Sequence, residues 1–97
     1  MAKGYWIAHV VVHDAEAWQR YAEAASPAFK AHGGRFLARG GSYHEVESPL
    51  GRPRNVVAEF PSLAAAKACF ESETYQAARR LREGAGIASI TLVEGFA

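Results

Sequence analysis

Tyr5-Trp6-Ile7-Ala8-His9-Val10-Val11-Val12 is a run of aromatic, aliphatic and β-branched residues broken by one polar side chain, His9. Such a composition favours an extended strand. Both parities are apolar: Trp6, Ala8, Val10 and Val12 point one way, Tyr5, Ile7, His9 and Val11 the other. A strand apolar on both sides belongs at the centre of a sheet, covered on both faces.

Outward from this strand the chain alternates between helical and extended patterns. Asp14 is placed to cap a helix, with Glu16 in its first turn. Trp18, Tyr21, Ala22, Ala25 and Phe29 share a helical face. Pro27 predicts a kink or a fresh start capped by Ser26, and the helix ends at His32 with Gly33 as a left-handed cap. Gly33-Gly34-Arg35-Phe36-Leu37-Ala38-Arg39-Gly40-Gly41 is a second strand with Arg35 and Arg39 at one parity. Gly40-Gly41 reads as a bulge, after which Tyr43–Glu47 continues extended. Ser48-Pro49-Leu50-Gly51 is a turn, and Arg54–Phe60 the third strand. Folding the hairpin about that turn sets Arg39 near Glu59. Ser62 caps a helix from Leu63 to about Phe70, Ser72 caps another from Glu73 to Glu83 closed by Gly84, and Ala88–Glu94 is the last strand.

The order strand, helix, strand, strand, helix, strand, with right-handed crossovers, gives an α+β sandwich of ferredoxin-like βαββαβ type. Its four antiparallel strands are ordered 4-1-3-2, with helices on one face. The 97 residues form one domain, 1–97. The helices leave the second apolar face of strand one uncovered. An exposed apolar sheet face is a partner site, and the simplest partner is a second copy, so a homodimer is expected.

Composition excludes several classes. The net charge is +1 with His neutral, too small to draw the chain to nucleic acid or an anionic membrane. No apolar run approaches the ~20 residues of a membrane span, and no signal-peptide pattern precedes strand one. The one cysteine, Cys69, rules out an internal disulfide and reads as a buried thiol in a reducing, cytoplasmic setting. His9, His13, His32 and His44 lie scattered without ligand spacing, so no metal is expected. No phosphate-cradling loop or nucleophile elbow occurs. No cofactor is expected.

Tyr5-Trp6-Ile7-Ala8, the Gly33–Gly41 stretch, Arg54-Asn55-Val56-Val57 with Glu59-Phe60-Pro61-Ser62, Ser72-Glu73 with Tyr75-Gln76, and Val93-Glu94-Gly95 resemble a small bacterial family, domain of unknown function 1330, of the dimeric α+β barrel superfamily. The resemblance spans nearly the whole chain. It implies a ferredoxin-like subunit whose sheet packs on a partner's sheet to close a barrel, and it transfers no activity.

Five residues are candidates for chemistry. His9 can serve as acid or base near neutrality, or as a core or interface histidine held by a hydrogen bond. Arg39 can bind a carboxylate or enolate, or form an ion pair with Glu59; both can hold. Tyr75, on the first turn of its helix, can bond a ligand at the mouth between helix and sheet, or cover the sheet edge. Trp6 is an apolar anchor or a stacking surface. Glu59 is a potential base. Together they suggest a small-molecule-binding dimer, with His9 and Arg39 as catalytic pair of any cofactor-independent acid–base chemistry on a small carbonyl or aromatic substrate. Trp6, Glu59 and Tyr75 would bind the ligand. The alternative is a structural or regulatory dimer without catalysis. RNA binding is disfavoured because strand three carries Glu59 where a stacking platform is needed.

Overall fold

The computed structural model describes residues 2–96. The elements are β1 (Gly4–Val12), α1 (Ala15–Ala31), β2 (Arg35–Arg39), β3 (Arg54–Phe60), α2 (Leu63–Glu71), α3 (Glu73–Arg80) and β4 (Gly86–Glu94). The four strands form one antiparallel sheet ordered β2-β3-β1-β4. β1 is central, hydrogen-bonded to β3 on one side and β4 on the other, as its two-sided apolarity predicts. The fold is ferredoxin-like.

The parity of β1 sorts the molecule into two sides. Trp6, Ala8 and Val10 are buried against the helices; Tyr5, Ile7, His9 and Val11 stay half-buried on the sheet's open face. The helices contribute Ala17, Trp18, Ala25, Ala28 and Phe29 from α1, Ala66 and Cys69 from α2, and Tyr75 and Ala78 from α3. No polar or charged residue among those described is fully buried in this core except through tyrosine.

Local signals place the helix ends. The Ala17 amide donates to Asp14 Oδ1 at 3.1 Å and the Ala65 amide to Ser62 Oγ at 3.0 Å. Ser72 serves two helices: its hydroxyl donates to the Cys69 carbonyl at the end of α2 and accepts from the Tyr75 amide at the start of α3. Gly33 has φ +75° as the left-handed cap. α1 runs unbroken through Pro27 rather than restarting there. Pro27 and Glu23, whose carbonyl loses its partner, are both exposed, so water can satisfy the freed oxygen. α3 stops at Arg80, short of Glu83, because the next three amides bond to carbonyls three residues back and tighten the chain toward Gly84.

The hairpin differs from expectation in three ways. Residues 43–47 are not a strand: Gly40 turns the chain away at φ +71°, and β3 begins only at Arg54, so nothing stands opposite them. The bulge lies between Phe36 and Ala38, not at Gly40-Gly41. The pairing is asymmetric about the Ser48–Gly51 turn, so Arg35, not Arg39, stands opposite Glu59, and Arg39 stands opposite Val56.

Candidate functional site

The bulge in β2 has a chemical consequence. Phe36 pairs with Ala58, Ala38 with Val57, and Leu37 is the extra residue. An extra residue reverses the alternation beyond it. Arg35 therefore lies on the open face with Glu59, while Arg39 lies on the helix side with Val56. Two arginines at equal parity in the sequence are delivered to opposite faces of the sheet.

On the helix side an apolar space opens between α1 and the sheet. Trp6, Trp18, Phe29, Phe36, Val56 and Ile90 supply its walls, with Tyr21 from α1, and its volume is ≈ 50 Å³. It meets a wider cleft of ≈ 440 Å³ reaching Val12, Ala15 and Gln19. The two spaces share Trp18, Ala22, Arg39 and Arg54. The Arg39 guanidinium sits 4.2 Å over the Phe36 ring, which is 4.9 Å from Phe29. Trp6 is the hub of the aromatic core, with ring centroids 4.6 Å from Phe29, 5.0 Å from Tyr75 and 5.7 Å from Phe70.

Tyr75 is fully buried rather than at a mouth. Its hydroxyl lies 2.8 Å from that of Tyr21, and Arg82 Nη2 donates to it at 3.5 Å. Arg82 also covers the Tyr21 and Trp18 rings at 5.0 and 5.6 Å. Burial, followed by the neighbouring Tyr75, pushes the Tyr21 phenol far above its usual value, so it stays protonated. Tyr21 is thus a neutral hydrogen-bonding group at the pocket wall. Burial likewise pushes the Cys69 thiol up to about 11, which leaves it unreactive as a nucleophile.

The open face holds the other two candidates. His9 Nδ1–H donates to Asn55 Oδ1 at 2.8 Å, and Arg52 Nη1 donates to the His9 carbonyl at 3.5 Å and to Ser89 Oγ. Glu59 accepts from Arg35 Nε at 3.0 Å and from the Tyr5 hydroxyl at 3.1 Å, so both of its oxygens are engaged. The expected Arg39–Glu59 pair is thereby replaced by Arg35–Glu59, the register having set Arg35 opposite. His9 and Glu59 lie on one face of the sheet, Trp6, Arg39 and Tyr75 on the other. Within one subunit His9 and Arg39 do not share a site.

Arg54 was not singled out in the sequence, although a signal was present. It shares its strand parity with Val56, Ala58 and Phe60 and is the one charge on that apolar face.

The Arg35 and Tyr5 hydrogen bonds hold the Glu59 carboxyl below its usual value. A depressed carboxylate stabilises the fold above about pH 4.3, its ordinary value, and loses that contribution as pH falls through the lower folded value. The urea midpoint of the wild type should therefore fall more steeply between pH 5 and pH 2 than that of Glu59→Gln. Equal slopes would remove Glu59 from the acid response.

An antiparallel sheet with helices on one face and an aromatic pocket beneath α1 defines a ferredoxin-like small-domain class. The chain belongs to the family described as Domain of unknown function (DUF1330), which matches residues 3–96. No curated protein matches it. Among solved structures it is similar to a protein of unknown function from Rhodopseudomonas palustris, at 19% identity and TM-score 0.78, over 99% of this chain and 84% of that one. It is similar to a cofactor-independent oxygenase from Streptomyces nogalater, at 13% identity and TM-score 0.65, over 100% and 96%. It is also similar to a dimeric ferredoxin-like protein of unknown function from Jannaschia sp., at 16% identity and TM-score 0.60, over 94% and 97%. At these identities the likeness is one of fold.

Proposed function

We propose that the protein is a homodimer that binds a small molecule in the pocket between α1 and the sheet. The observation that carries this is the aromatic-walled space continuous with an open cleft, an arrangement typical of small-molecule sites. The ligand's apolar part would lie against Trp6 and Phe36, with Arg39 as its polar contact. A cofactor-independent oxygenase sharing the fold is consistent with chemistry in such a pocket. In one subunit's pocket Arg39 and the neutral Tyr21 hydroxyl would supply hydrogen bonds to a ligand rather than proton transfer, and His9 faces away. A free, buried Cys69 suits a reducing, cytoplasmic setting; no helix among the described residues is long and apolar enough to cross a membrane.

Dimerisation would use the open face. Ile7 lies at its centre between Val57 and Thr91, and Ile87 and Val93 on β4 are 51% and 43% exposed. A second copy would cover these side chains and enclose His9 with its Asn55 bond. RNA is a poor fit to this face, since its Tyr5 is tied to Glu59.

A metabolite screen by thermal shift tests the binding reading. A ligand at about 100 times its Kd should raise Tm by roughly 10–20 °C in a domain of this size. A library without a single stabilising compound would favour the structural or regulatory dimer. For the assembly, wild type should scatter light as a dimer at micromolar concentration and Ile7→Glu as a monomer, because an unpaired carboxylate at the centre of an apolar interface is costly. A monomeric wild type would overturn the homodimer.

A further inference from the structure

We propose that Arg39 and Arg54 together form a clamp for the carboxylate of a small acid whose short apolar tail enters the pocket. This deepens the small-molecule reading of the same pocket and rests on it.

Four observations converge on the clamp. First, the β2 bulge brings Arg39 to the helix side opposite Val56, so Arg54, two residues before Val56 on β3, is its diagonal cross-strand neighbour. Such neighbours are about 7–8 Å apart at the backbone, well within the reach of two arginines. Second, both arginines line the inner pocket and the outer cleft, and no residue lining either space is acidic. Among the described residues the one ion pair is Arg35–Glu59, on the other face of the sheet. Two neighbouring cations facing an apolar wall without a counter-charge form an anion site.

Third, Arg54 Nε is buried without a hydrogen-bond partner. A buried, unpaired donor is costly, and an acceptor arriving from the pocket side would relieve that cost. The guanidinium lies close against Gly40: a Cβ there would stand 2.5 Å from Arg54 Nη1. The glycine makes room for the arginine as well as for the turn. Fourth, Arg39 is stacked on Phe36 at 4.2 Å. Stacking fixes the guanidinium plane and leaves its N–H edge free, the geometry that takes a planar carboxylate in two parallel bonds.

Volume narrows the class of acid. An engineered apolar cavity of ~150 Å³ takes a benzene ring; the space here is ≈ 50 Å³. The inner space accepts a tail of a few carbons, whereas an aromatic ring would have to sit in the wider cleft. The carboxylate, with any further polar group, would remain at the junction with the wider cleft.

The test uses butanoate, its neutral isostere butanamide, benzoate and inorganic phosphate, titrated calorimetrically into the full-length protein at constant ionic strength. Butanoate should bind at least tenfold more tightly than butanamide, and more tightly than benzoate or phosphate. Arg54→Met and Arg39→Met keep the apolar stems and should each weaken butanoate tenfold to a hundredfold, the range expected for a charged hydrogen-bonding group, with butanamide unchanged. Arg39 is exposed, so its variant carries the test if Arg54→Met fails to fold. Equal binding of acid and amide, unchanged affinity in the arginine variants, or preference for phosphate would each overturn the clamp. Preference for benzoate would overturn the short-tail class. If the acids fail while a neutral compound binds and is lost in Phe36→Ala, the clamp falls and the pocket reading stands. If none of the four binds, the clamp falls, and the metabolite screen decides the pocket reading.

Discussion

Replacing Trp6 by alanine is expected to remove about 3–5 kcal/mol of stability, the range for deleting a large buried aromatic. In a domain of this size that lowers Tm by on the order of 20 °C. It is a large share of the roughly 5–15 kcal/mol that holds a small domain folded. The effect is large because the ring is 2% exposed and central. Phe29, Phe60, Phe70 and Tyr75 all have ring centroids within 6.2 Å of it, so its removal leaves four aromatic rings facing a void. They come from α1, β3, α2 and α3, and no single element can shift to fill the space without leaving another. The new void would join the space already present beneath α1. Free indole should then bind the variant and restore part of the lost Tm, as an apolar ligand does in an engineered cavity. Chemical denaturation of Trp6→Ala checks the first expectation and an indole titration the second. A loss below about 1 kcal/mol would mean the neighbouring rings collapse into the gap.

Which parts of this arrangement are legible in the sequence follows from how each is determined. The centrality of β1 is written in its own alternation, and so is the separation of Trp6 from His9, which differ in parity. The helix caps at Asp14, Ser62 and Ser72 are local chemistry and are equally legible. The face of Arg39 is not. It depends on one extra residue at Leu37, where no glycine or proline marks the bulge, and the bulge exists only as a fit between β2 and β3. The same fit decides that Glu59 meets Arg35. A hairpin register can be counted from a tight turn, but residues 40–53 form a long exposed loop that fixes no register. Tyr75 was legible as a first-turn residue. Its burial was not, since α3 has eight residues and shows two buried positions, too few to define a face. Arg54 was legible by parity alone, and a charge on an apolar strand face is the clearest sequence sign of a pocket that this chain carries.

Gly4→Ala is expected to cost about 3 kcal/mol or more, at or above the upper end for overpacking a filled site, and to lower Tm by roughly 10–25 °C. A single methyl group has this effect because of what it meets. A Cβ at Gly4 would lie 2.4 Å from the Ser62 carbonyl oxygen, 2.5 Å from its carbon and 2.6 Å from Leu63 Cα. These are backbone atoms at the start of α2, with no side-chain rotation available to relieve the contact. Gly4 is itself held in the ladder, opposite Phe60 on β3 and Glu94 on β4. Either α2 must lift from the sheet, withdrawing Ala66 and Cys69 from the core, or the first pairs of both ladders must open. Gly41 is the matched control: nothing lies within 4 Å of a Cβ there, and Gly41→Ala should leave Tm within a few degrees of wild type, as surface substitutions usually do. Thermal unfolding of the two variants side by side decides the matter, and equal small shifts would show that α2 slides away from β1 at little cost.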